Sequence, residues 1–397
     1  MSQKHCLFSR LVHSIRRLAL WLPASLLLLQ PAWAQPIVLG GFAFAGDQAS
    51  VAQRFPNVAK IREILDSTGK KLSPRVVEKA HAFPARSLEY AAIDKQGDVT
   101  QQLTSILLFT GETVSSELSA GYYKTFISLR AEALIFDPRN KTIVRSYPIS
   151  ATIFDATERQ PGPNGIRSLV SNLLLREDST GLLTQYAARM GSATLPLPGS
   201  HTYQIMPAAI SPEAMAMLPP SLRDQDGSTG KVFSDAFGAI LAAKLGLSLL
   251  PMHSGTSAGN LGFRLDNGDA VDLALPRADY VFEMKIKRFV KARTKAGDSP
   301  AGAAFAYGVQ AHLRFFETAL QKDYLNTDIK SADIKLVPGG QLMIDDLPAY
   351  ESALSGLFSN VAAVLQHNGD TKWLLAAAAE KNIGTQLIAA RPRLKDR

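Results

Sequence analysis

Period-two alternation on both sides of a proline-rich break is the feature that most limits how this chain can fold. Before the break, Ile127, Leu129, Ala131, Ala133 and Ile135 alternate with Ser128, Arg130 and Glu132. After it, Tyr280, Phe282, Met284 and Ile286 alternate with Val281, Glu283, Lys285 and Lys287. Val309, Ala311, Leu313 and Phe315 do the same with Gln310, His312 and Arg314. Successive side chains of a strand point to opposite faces, so these runs specify antiparallel, half-covered strands, one face under helices and the other either polar or covered by the partner unit. The break, residues 194–200, holds two prolines and a glycine and reads as a linker.

The same order of elements can be read on each side of that linker. The first half opens with a strand at 36–45, then helices at 51–65 and 74–82, a short strand at 88–93 and a strand beginning at Ile106. The alternating run, a turn at 137–141 and a return strand at 143–154 follow. Asn164 then caps a helix bearing Ile166, Leu169, Val170 and Leu173. The second half gives a strand at 201–210, a helix at 231–245, a short buried strand at 247–252, the two alternating strands and a return strand at 324–337. It closes with a helix carrying Tyr350, Leu354, Leu357, Phe358, Val361 and Leu365 on one face. The expected fold class is α/β of the α+β type. Two related units, 35–193 and 201–385, each have a mixed sheet with helices mainly on one face. Residues 386–397 read as a basic tail.

Residues 1–34 predict a cleaved export signal. Lys4, Arg10, Arg16 and Arg17 form a positive segment, an apolar run spans 18–29, and Ala32-Trp33-Ala34 supplies the cleavage pattern before Gln35. The apolar run is well short of the ~20 residues a membrane-spanning helix needs. Cys6, the sole cysteine, lies in this segment. The mature chain is therefore expected to lack disulfides, thiolate metal sites, cysteine nucleophiles and a lipid-bearing cysteine. Removing four basic residues lowers the net charge from +8 to 39 − 35 = +4, too mild to imply nucleic acid. The expected location is the periplasm, with no transmembrane span.

The second half resembles the small α/β domain shared by the curli secretion-channel subunit and the N-terminal domain of the Tol-Pal translocation protein. Ala278-Asp279-Tyr280-Val281 matches a strand motif of those families, and Ile37-Val-Leu-Gly-Gly-Phe42 stands where their opening strand lies. An amphipathic helix, a strand hairpin and a closing helix complete the resemblance. It implies an envelope accessory protein working by contact, without the lipid anchor of the lipidated members.

Motifs for chemistry are sparse. Gly255-Thr256-Ser257-Ala258-Gly259 has the G-x-S-x-G pattern of a serine hydrolase, with His253 nearby, and defines an alternative reading with Ser257 as nucleophile. The pattern requires a following helix, whereas the glycines and Asp-Asn-Gly turn after Asn260 oppose one. Asp226-Gly-Ser-Thr-Gly-Lys231 fails the phosphate-loop pattern at Gln225 and Val232, so Ser228 or Thr229 is expected to cap the 231–245 helix. His81, His201, His253, His312 and His367 lack a second histidine at helical spacing, and no metal or cofactor is expected.

One charged run remains. Lys285, Lys287, Arg288, Lys291, Arg293 and Lys295 pass from a strand into what reads as a loop, and could meet an anionic envelope component. Lysines that protect a strand edge explain the same pattern. The expected function is a non-enzymatic, exported accessory protein acting on an envelope protein or anionic component. Oligomeric state is not legible.

Overall fold

The computed structural model describes residues 35–91, 102–119, 121–196, 199–223, 228–252, 259–265, 268–299, 302–338, 346–366 and 370–394. His253, Ser257 and His367 lie outside these residues. The chain is a mixed α+β structure. Its first half runs β1 (Gln35–Ala45), α1 (Val51–Arg54), α2 (Pro56–Ser67), α3 (Leu72–His81), β2 (Leu88–Tyr90), β3 (Thr104–Ser119), β4 (Tyr122–Asp137), β5 (Thr142–Thr157), α4 (Pro163–Leu175) and α5 (Leu182–Gly191). The second half runs β6 (Tyr203–Ile205), β7 (Ala209–Ile210), α6 (Pro212–Ala216), α7 (Ser228–Leu245), β8 (Gly259–Arg264), β9 (Ala270–Leu275), β10 (Tyr280–Ser299), β11 (Gly302–Glu317), β12 (Lys322–Pro338), α8 (Asp346–Leu365), α9 (Lys372–Ala377) and α10 (Ile383–Ala390).

The repeated order carries through to the strand pairing. In the first sheet β1 lies parallel to β3, which continues through antiparallel β4 and β5. In the second, β6 lies parallel to β10, which continues through antiparallel β11 and β12. A helix (α4 or α8) follows each three-stranded meander.

The linker does not separate two bodies, because Pro36–Arg397 forms one compact unit. The β8–β9 hairpin, from beyond the linker, completes the first sheet. Thr142 of β5 pairs with Ala274 of β9, and Phe44 and Ala45 of β1 pair with Arg264 and Phe263 of β8. Six strands thus close at one end around Ala43, Ile106, Leu108, Leu134, Phe136, Phe263, Leu265 and Leu273. Between β8 and β9, Gly268, the last residue of the Asp-Asn-Gly sequence, adopts φ +96°.

On the sheet's other face, α2–α5 cover Ile127, Leu129, Ala131 and Ala133. Glu112 of β3 fixes α2 there by accepting hydrogen bonds from the Asn57 and Val58 amides, at 3.1 and 3.0 Å. Helix α7 is apolar nearly all round and lies between the two sheets, as such a helix must. It approaches β5 at Gly238 and the segment before β7 at Gly230, and Phe237 packs on Phe282 of β10 and Phe358 of α8.

Local departures from the sequence reading have simple causes. Pro163 at the first helical position starts α4 after Gly162, so Asn164 sits inside the helix and accepts from Arg167 at 3.0 Å. Thr229 also lies within its helix, and its hydroxyl donates to the Leu222 carbonyl at 2.8 Å. The described part of the basic tail, 386–394, folds as the end of α10 and a short turn. Arg391 donates to the Val364 carbonyl at 2.8 and 3.0 Å, and Tyr203 donates to the Arg393 carbonyl at 2.5 Å.

Helix α7's depth gives a test. A Cβ on Gly230 would lie 2.2 Å from the Ala208 carbonyl oxygen. Helix propensity alone favours alanine by about 1 kcal/mol, yet Gly230→Ala is expected to destabilise the protein by about 1–3 kcal/mol. Urea denaturation should show a lower midpoint at unchanged slope; a stabilised variant would mean that α7 does not sit this deep.

Candidate functional site

Among the described residues, two places on the sheets combine polar chemistry with accessible or internal space. The first is the outer face of the second sheet. Strand β10 does not give way to a loop at Arg288 but continues to Ser299, paired with β11 throughout most of its length. A bulge at Lys287 shifts the register. Before it, Met284 and Ile286 point inward and Lys285 outward; after it, Phe289, Lys291 and Arg293 share the inward register with Val309, Tyr307 and Phe305. The basic residues whose side chains are described are therefore divided between two faces.

Several of them also have acidic partners. Lys287 donates to Asp328 at 2.5 Å, and His312 Nδ1 lies 2.8 Å from the other Asp328 oxygen. Partial burial works against the Asp328 charge, but these two partners outweigh it and hold the carboxyl below its usual range. Arg288 pairs with Glu213 at 2.8 Å. Lys291 donates to Asp346 at 2.8 and 3.0 Å, beneath the Phe305 and Tyr307 rings. Lys285 and Arg293 are exposed, and Lys295 belongs to β10, its side chain outside the description.

Past the bulge the outer face becomes apolar. Three rows cross it: Val290–Gly308–Ala332, Ala292–Ala306–Ile334 and Thr294–Ala304–Leu336. The middle strand contributes only glycine and alanine, so the face forms a shallow trough. Ile334 and Leu336 stand 65% and 73% exposed, too much for ordinary sheet positions of that size. Where the trough meets the charged region, a cavity of about 770 Å³ is lined by Arg288, Val290, Gln310, Lys330 and Trp373. Lys330 is exposed and has no acidic partner among the described residues. The run Ala301–Gly308 reads as a loop because glycine and alanine leave no hydropathy signal.

The second place is internal. The Ser128, Arg130 and Glu132 side of β4, polar by pattern and expected to be either a polar face or one covered by the other unit, is buried under α7. Arg130 reaches Asp235 of α7 at 3.4 Å, and Ser146 of β5 donates to Glu132. Gly111 on β3 leaves the space that the Arg130 guanidinium occupies: a Cβ there would lie 2.3 Å from it. Beside this seam is a cavity of about 130 Å³, floored by Ser128, Ser150 and Thr152 and roofed by apolar residues of α7 and by Glu351, Leu354, Ser355 and Phe358 of α8. The Ser128 hydroxyl and Arg130 Nε have no hydrogen-bond partner among the described residues. Burial pushes the Glu132 carboxyl up to about 8, the Asp235 charge adds to this, and the Ser146 hydrogen bond opposes it. Burial raises Asp235 to about 6, against the pull of Arg130 and Lys231.

Among the described residues, no group of three histidine, cysteine or acidic side chains is placed to hold a metal ion. None of their helices is long and apolar enough to cross a membrane. Gly259–Arg264, where the hydrolase pattern needs a helix, is the strand β8.

No protein-family model matches the chain, and no curated protein matches it. Among solved structures it is similar to a neuraminyllactose-binding hemagglutinin homologue of Helicobacter pylori. That pair has 14% identity and a TM-score of 0.28, and the match covers 48% of this chain and 91% of the other. A DUF330-family protein of Xanthomonas campestris matches at 11% identity and a TM-score of 0.24, covering 42% and 87%. A hypothetical protein of Chlamydia trachomatis matches at 11% and 0.26, covering 42% and 97%. At such scores no residue role is carried across.

The seam sets a pH dependence. With an ordinary value of 4.5 and a folded value of about 8, Glu132 binds its proton more tightly in the folded state. Its contribution is full below about pH 4.5, declines as pH rises and is gone above about 8. Asp235 acts with the same sign at lower pH. The unfolding free energy from urea titrations should fall between about pH 5 and 8, by an amount on the order of a few kcal/mol. Glu132→Gln should remove most of that slope; an unchanged slope would show that Glu132 is not the group responsible.

Proposed function

We propose that this chain is an exported, non-enzymatic accessory protein of the cell envelope. It works by holding a partner protein against the outer face of its second sheet. The observation that carries this reading is the trough over β10–β12, where large apolar side chains stand exposed around a floor of Gly308, Ala306 and Ala304. Strands lie about 4.8 Å apart, so β10 and β12 are separated by about 10 Å. An α-helix with its side chains is about 10–12 Å across, and fits between Val290 on one side and Ile334 and Leu336 on the other. Lys330, exposed at the charged end, favours an amphipathic helix with acidic residues at that end.

The signal-like residues 1–34 support a periplasmic location, and the lack of a later cysteine supports a protein held in place by its partner. The resemblance of Ala278–Val281 to curli and Tol-Pal accessory domains points the same way. A basic-patch reading needs one positive face, whereas the paired and divided cations supply only part of one.

A photoreactive amino acid placed at position 334 or 336, in intact cells, should crosslink one discrete envelope protein. Mass spectrometry should map the adduct to an acidic-ended amphipathic helix, and Lys330→Glu should lower its yield several-fold. The same probe at position 64, also apolar and exposed, should give no such adduct. Equal yield at all three positions, or none, would overturn the docking face. Fluorophosphonate labelling that is lost in Ser257→Ala would instead establish the hydrolase reading.

A further inference from the structure

A second surface, on the helical layer of the first half, has chemistry of a different kind. Helix α3 carries Arg75 and Lys79 four residues apart on one face, and Lys71 precedes them at the same spacing, just before the helix begins. Like charges at i, i+4 repel, so this stripe is unfavourable to the helix unless something answers it. Lys70 joins the group from the turn made by Gly69, whose φ is +73°. Lys70, Lys71, Arg75 and Lys79 line one cleft of about 620 Å³, with Glu78 and with Leu175, Glu177 and Leu183 from the α4–α5 side.

Answering charges are few. Glu177 pairs with Lys79. Lys70, Lys71 and Arg75 have no acidic partner among the described residues, and Arg75 is half-buried in the cleft wall. Four cations and two carboxylates leave the cleft with an excess of two positive charges. Elsewhere on the surface, Lys60, Arg62, Arg176, Lys287, Arg288 and Arg314 each have an acid within 4 Å. A half-buried arginine flanked by exposed lysines offers a planar fork and point charges, the combination suited to a tetrahedral dianion. The apolar Leu175 and Leu183 beside it would accommodate the group to which that anion is esterified.

We infer that the α3 cleft binds a phosphate-bearing ligand, with Arg75 and Lys71 as its principal contacts and Glu177 as a competing acid that holds Lys79. This inference is independent of the trough: it uses other residues, in the other half of the chain.

The mature protein would be titrated with inorganic phosphate and pyrophosphate, and separately with phosphatidylcholine vesicles containing phosphatidylglycerol. Saturable binding to pyrophosphate is expected. It should weaken at least about tenfold in the Lys71→Gln/Arg75→Gln double variant, and tighten in Glu177→Gln, which frees Lys79. The charge-matched Lys322→Gln/Lys381→Gln variant should bind as the unaltered protein does. Vesicle binding that the double variant loses, without pyrophosphate binding, would assign the phosphate to a lipid headgroup. Absent binding to both probes overturns the inference. So does equal weakening in the two double variants, or a Glu177→Gln variant that binds no more tightly.

Discussion

Everything in this molecule depends on burying one helix, α7, on two sides at once. A helix between two sheets must be apolar around most of its girth and narrow where a sheet comes close. The chain meets the first demand with Phe233, Phe237 and Leu241, all buried, and the second with glycines at 230 and 238. Where the first sheet presents charge instead of hydrocarbon, α7 answers with a single acid, Asp235, opposite Arg130. A buried pair of this sort adds little net stability, because desolvation offsets much of the attraction. Its evident effect is on fit: an unpaired guanidinium or carboxylate in that layer would be far more costly than either partner's removal together with the other.

The two sheets solve their polar faces in opposite ways. The first hides Ser128, Arg130 and Glu132 under α7 and closes its far end with the β8–β9 hairpin. The second leaves its corresponding face open, with ion pairs at one end and bare aliphatic groups at the other. The repeat is thus one of strand order and not of environment. This difference is why the docking reading attaches to the second copy of the meander and not to the first.

Much of the fold was legible because strand and helix periods are local properties. The alternating runs, the turn at 137–141, the opening strand and the helix facing inward through Tyr350 and Phe358 all follow from spacing. What was not legible depended on partners remote in sequence. Ser128, Arg130 and Glu132 have the pattern of a wetted face, and only the arrival of α7, a hundred residues later, buries them. The bulge at Lys287 moves the later cations to the other face, and no single-residue property of Lys287 announces it. Strand β11 begins with small residues whose alternation hydropathy cannot register, so the trough was hidden in what reads as a loop. The cationic stripe of α3 was the exception: Lys71, Arg75 and Lys79 stand at helical spacing and could have been found from the sequence.

Closing the first sheet with a hairpin from beyond the linker also fixes an order of events. Strand β1 cannot acquire its β8 partner, nor β5 its β9 partner, until the chain has been delivered through Leu275. Pairing across such a span carries a large loop-closure cost and is slow compared with forming either meander. During delivery the apolar lining later shared by Phe136 and Phe263 has no cover. A chain built this way spends its early life with an open-ended sheet, and its vulnerability to aggregation is set by how quickly the second half follows the first.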